Sequence, residues 1–94
     1  MHAVMITVRI DESREDEARQ LLKDVVVPMG QALAGFQRGY WARALESDIG
    51  RSVLLFDTES SARAAVDQVR SQGPPEGMPV TLDSVEAFEV LHEA

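Results

Sequence analysis

Six segments in the order strand, helix, strand, strand, helix, strand predict an α+β fold with one four-stranded antiparallel sheet and both helices on one face. Two further observations carry that prediction. Each strand is substantially apolar in both of its alternating residue sets, so both faces of the sheet need cover. Two helices can cover only one of them, which leaves a greasy face for a second copy of the chain. A homodimer formed sheet against sheet is therefore the expected architecture.

The first strand, His2–Ile10, sets Val4, Ile6, Val8 and Ile10 against Ala3, Met5, Thr7 and Arg9. Neither set is cleanly polar, as in a central strand. The first helix is expected over 13–33, beginning near Asp11 or Ser13, with Ser13 and Asp16 as a weak capping box and the acids of 11–17 at its positive end. Ala18, Leu21, Leu22, Val25, Met29, Ala32 and Leu33 follow helical spacing and form the expected buried stripe. Pro28 removes one backbone bond and clashes with the carbonyl of Asp24, so a kink or break is expected near Val26–Val27. Gly35 ends the segment.

Residues 36–45 and 51–57 read as a hairpin about the loop 46–50. Closure centred on Asp48–Ile49 would set Trp41 opposite Phe56 and Arg43 opposite Leu54, with Tyr40, Ala42, Val53 and Leu55 on the other face. The second helix, 60–72, takes Thr58 or Ser60 as its cap and carries Ala62, Ala65, Val66 and Val69 on one side. Gly73, Pro74 and Pro75 stop it. The last strand covers 80–92 and lies antiparallel beside the first in the ferredoxin-like βαββαβ order.

Ninety-four residues suit one domain, spanning 1–94, and the absence of cysteine excludes disulfides and thiolate metal sites. A net charge of −7 without a basic cluster argues against nucleic acid as a partner. No apolar run reaches membrane-spanning length, so no membrane partner is expected and a cytoplasmic location follows. No dinucleotide or phosphate loop, nucleophile elbow or carboxylate pair is present; Glu86 and Glu89 fall on opposite faces. His2 and His92 are expected near each other at strand ends, either as a metal or pH-sensitive pair or as two solvated residues.

The stretches GFQRGYWARA and VLLFDTESSARAAV, a glycine-started strand and a strand running into a serine-capped helix, resemble the dimeric α/β-barrel superfamily. The nearest likeness is to antibiotic biosynthesis monooxygenase-like domains, and it covers nearly the whole chain. It implies a barrel of two paired sheets, with a small molecule held between each sheet and its helices. Members with activity oxidise aromatic polyketides without an added cofactor, or bind and cleave haem. Both reactions lean on an asparagine, and this chain has none. The asparagine of the haem-degrading branch falls near Thr7, the family tryptophan at Phe56, and the haem-ligating histidine at Val66 or Asp67. The resemblance therefore disfavours haem, and no cofactor is expected.

Trp41, Arg43 and Phe56 are the candidate pocket residues, with Thr7 added by resemblance only. The rings would sandwich a small aromatic ligand and the guanidinium would hold its phenolate or enolate. The competing reading makes Trp41 and Phe56 a cross-strand packing pair and leaves Arg43 to snorkel or to pair with an acid. Two function classes follow. One is a cofactor-independent oxygenase of an aromatic substrate. The other is a non-enzymatic homodimeric binding, regulatory or accessory module.

Overall fold

The computed structural model describes residues 1–94. Strands β1 (His2–Ile10), β2 (Phe36–Arg43), β3 (Ile49–Phe56) and β4 (Val80–Glu89) form one antiparallel sheet in the order β2-β3-β1-β4. The first helical segment comprises a short 3-10 turn, Glu12–Arg14, then α1 (Glu15–Leu21), a π-helical turn (Leu22–Val26) and α2 (Val27–Gln31). The second is α3 (Glu59–Ser71). This is the ferredoxin-like arrangement, with both helical segments on one face.

The expected break at Pro28 takes another form. The helix absorbs the proline one turn earlier, as a π turn in which the Val27 N–H reaches back to the carbonyl of Leu22. One extra residue in that turn rotates everything after it. Val25 and Met29, expected in the buried stripe, therefore lie 43 % and 47 % exposed. Val26 and the buried Gly30, each one position later, face the sheet instead. Of the two expected starts, Asp11 is the one that caps, accepting the Ser13 N–H at 3.0 Å and its hydroxyl at 2.6 Å. The second helix has the expected threonine cap, Thr58 accepting from the Ser61 N–H at 3.1 Å.

The hairpin closes two residues before its expected centre, which shifts every cross-strand partner by four. Trp41 pairs with Ser52 and Arg43 with Gly50, while Phe36 stands opposite Phe56. The turn lies at Glu46–Ser47, with the Ala44 N–H donating to the Ile49 carbonyl at 2.8 Å. β2 therefore ends at Arg43 and leaves Leu45 99 % exposed, and β4 ends at Glu89 rather than His92. Gly50, read as a turn signal, is instead a buried strand position beside Val8 of β1. A Cβ there would come within 2.9 Å of Val8 and 3.2 Å of Ile10. The shift is an even number of residues, so the face assignments survive it.

The dry core lies between the sheet and α3. It joins Val4, Leu54, Phe56 and Val85 to Ala62, Ala65 and Val66, the helix stripe read from the sequence. On the opposite face Met5, Tyr40 and Phe88 are 44 %, 57 % and 38 % exposed, surrounded by half-buried Val53 and Leu55. One protomer thus leaves an apolar sheet face uncovered. No helix is long and apolar enough to cross a membrane.

Candidate functional site

The site expected from the sequence separates into three places. Trp41 and Arg43 lie on the helix-covered face near the end of β2, and Phe56 lies on the same face at the end of β3. Phe56, however, is 0 % exposed under α3 and belongs to the core, so it offers no surface to a ligand. Thr7 sits opposite Arg51 and beside Met5, on the face that the helices leave bare. Alternation along β1 puts Ile6 and Val8 toward the helices and Thr7 away from them. Thr7 therefore cannot share a pocket with Trp41 and Arg43.

Trp41 is held by close backbone approach. Its ring lies between Gly30 of α2 and Gly39 of β2, where added Cβ atoms would come within 2.9 Å and 2.7 Å of it. Phe36 is its aromatic neighbour at 6.5 Å, and Phe36 in turn meets Phe56 edge-on at 6.3 Å. The expected Trp41–Phe56 pair is thus a chain of three rings linked through Phe36. Packing fixes the indole, but the residue as a whole stays half-buried.

Arg43 is paired with an acid, Glu15 at the start of α1, which also accepts from Arg19 at 3.0 Å. Arg19 first, then Arg43, hold the Glu15 carboxyl below the ordinary glutamate value of 4.5. The pair joins the first turn of α1 to the end of β2. Sequence reasoning did not single out Glu15; its only local signal is the helical spacing to Arg19. The residues between this bridge and Trp41 form the less well sealed part of the molecule. Ile6, Val8, Ile10 and Ser52 of the sheet, and Leu22 and Val26 above them, are all only half-buried.

Two open concavities stand out elsewhere. One, about 470 Å³, is bounded by the charged residues Glu12–Glu17 alone. The other, about 430 Å³, runs between α3 and β4 and includes His2, Glu59, Arg63, Asp67 and Arg70. The Arg63 guanidinium beside it holds the Glu59 carboxyl below its ordinary value, and the His2 Nδ1 is sealed without a hydrogen-bond partner. No three potential metal ligands converge anywhere. His2 stands opposite Glu89, whereas His92 lies in the exposed stretch after β4.

No family model matches the sequence, and comparison with curated proteins finds no relative. Solved structures do match along the whole chain. The haem-degrader MhuD from Mycobacterium tuberculosis, solved with two haems in its active site, aligns with a TM-score of 0.75 at 12 % identity, over 100 % of this chain and 99 % of its own. A protein of Deinococcus radiodurans assigned as an antibiotic biosynthesis monooxygenase aligns at 0.67 and 15 %, over 100 % and 96 %. The Streptomyces coelicolor monooxygenase ActVA-Orf6, solved with nanaomycin D, aligns at 0.61 and 12 %, over 99 % and 89 %. At these identities the likeness is one of fold. Haem does not fit the residues present at the expected ligand position. Val66 is buried in the core, Asp67 lies on the outer flank of α3, and neither carries a nitrogen donor.

Proposed function

Starting from a chain with the fold of the antibiotic biosynthesis monooxygenase-like dimeric α/β barrels, we propose that it forms a homodimer and binds a flat, anionic aromatic molecule. The ligand lies between the sheet and the α1–π–α2 segment, against Trp41 and within reach of Arg43. One contrast carries this reading. Under α3 Val4 and Phe56 are 0 % exposed, while toward the first helical segment Ile6, Val8 and Ile10 of the same face stay half-buried. A π turn in the covering helix supports it, since such turns recur at functional sites. Arg43 supplies the one charge on this stretch of β2, and an anionic ligand would replace Glu15 as its partner.

The single tryptophan makes the test direct. Titration with 1-hydroxy-2-naphthoate is expected to change Trp41 emission saturably. Arg43→Ala is expected to weaken that binding about tenfold, the size of a lost charge-assisted hydrogen bond, and to leave binding of neutral naphthalene unchanged. Emission that never saturates with either probe would remove the pocket.

A second reading, cofactor-independent oxygenation of the bound aromatic molecule, is favoured by the arginine beside an indole and by the monooxygenases among the structural neighbours. The binding-only reading is favoured by the absence of asparagine and by the carboxylate that neutralises Arg43. Dioxygen uptake with polycyclic phenols, wild type against Arg43→Ala, separates them. Uptake that depends on Arg43 establishes oxygenation, and its absence with a demonstrated ligand establishes binding alone.

A further inference from the structure

The uncovered sheet face is not uniform, and its pattern selects one way of pairing two copies. Across the strands Arg38, Leu55, Ala3 and Phe88 form one row. Tyr40, Val53, Met5 and Glu86 form the next. The middle of each row is apolar, and the two rows carry one charge each, Arg38 at the β2 end of the first and Glu86 at the β4 end of the second. Arg9, Arg14, Arg19, Arg43 and Arg63 all pair with acids inside the protomer, and Arg70 donates to the Val85 carbonyl. The two remaining arginines, Arg38 and Arg51, make no ion pair within the protomer, and both stand on this face. Glu86 is likewise unpaired and exposed.

We propose that two copies pack face to face about a two-fold axis running along the strands, with Arg38 and Tyr40 meeting Glu86 of the partner subunit. This rests on the homodimer proposed above and adds its geometry. Such an axis keeps each row in place and lays β2 over the partner's β4. Tyr40 then lies over the partner's Glu86, and Arg38 lies over the partner's Phe88. One row is about 7 Å and facing sheets are about 10 Å apart, so Arg38 reaches the partner's Glu86 as well as the ring beneath it. Val53 packs on the partner's Met5, which buries the apolar centre; Ala3, in register with Leu55, is already buried in its own protomer. An axis running across the strands gives the opposite result. It lays β2 on the partner's β2 and β4 on the partner's β4, with Glu86 at or near Glu86 of the partner subunit. In a protomer already at −7, that juxtaposition is the costly one.

Charge reversal tests the pairing, because both residues are exposed and neither belongs to the core. Sedimentation equilibrium at low salt is expected to show a wild-type dimer whose dissociation constant rises at least about tenfold in Arg38→Glu and in Glu86→Arg, since each variant opposes like charges twice. Mixing the two variants restores both attractive contacts. A heterodimer seen by native mass spectrometry, with near wild-type affinity, is therefore expected. Wild-type dimers unaffected by either reversal would overturn the pairing and leave the homodimer standing. A wild-type protein that stays monomeric at about 100 μM would overturn both, well above the range of a specific dimer.

Discussion

The two halves of the helix-covered face are built from similar residues and end up differently. Under α3 the covering side chains are small, Ala62, Ala65 and Val66, so the helix settles close to the sheet and seals Val4, Leu54, Phe56 and Val85. Under the first helical segment the covering side chains are larger, and a π turn interrupts their repeat. Gly30 approaches closely there, over Trp41 and the edge of Leu54, and Ala18 is buried. Leu22, Val26, Ile6 and Val8 are left half-buried. The difference teaches that apolar content alone does not make a core. The helix must also present one unbroken face at one distance.

That contrast can be broken by mutation. Phe56→Ala in the sealed half is expected to cost ~3–5 kcal/mol by urea unfolding, whereas Leu22→Ala in the open half should cost less than ~2 kcal/mol, because less of its surface leaves water on folding. Equal losses would mean the halves are packed alike. Gly30→Ala gains up to ~1 kcal/mol of helix propensity but pushes a methyl into Trp41, so a net loss of ~1 kcal/mol and a shift in indole emission are expected. Unchanged emission would show that α2 does not rest on the ring. Met29→Ser is expected to change stability by no more than ~0.5 kcal/mol, since the π turn has rotated Met29 outward. A large loss would restore the unbroken α-helical repeat.

The bridge that closes the open half should respond to acid. Glu15 has a folded-state value below its unfolded one, so its contribution is complete above about 4.5 and is lost as pH falls through the lowered value. Glu17 and Glu59, lowered by Arg14 and Arg63, act in the same direction. Glu15→Gln should therefore lower stability slightly across the neutral region, where the contribution is complete, and flatten the acid limb, so that variant and wild type converge at low pH. A shift confined to alkaline pH would contradict the assignment.

The sequence made the element order and the faces of the strands legible, because a period of two survives errors in loop length. Trp41 and Phe56 share a face although their expected pairing was four residues out of step. The register was not legible, since Gly50 looks like a turn residue and is in fact a strand glycine crowded by the side chain of its neighbour Val8. The inward side of the first helix was missed for a similar reason. Pro28 announces a disturbance but not whether the chain will break, kink or take in an extra residue. Thr7 entered by resemblance, and the apolar character of both faces of β1 concealed that it points away from Trp41. Glu15 was hidden among the acids of 11–17, where only the fold shows which one reaches Arg43.

Amide hydrogen exchange measures the contrast between the halves most directly. The central amides of α3, from Ala62 to Val69, should exchange only through global unfolding. Those from Leu22 to Gln31 should exchange faster through local opening, and slow when an aromatic acid is bound. Equal protection of both helical segments in the free protein, unchanged by ligand, would contradict the account.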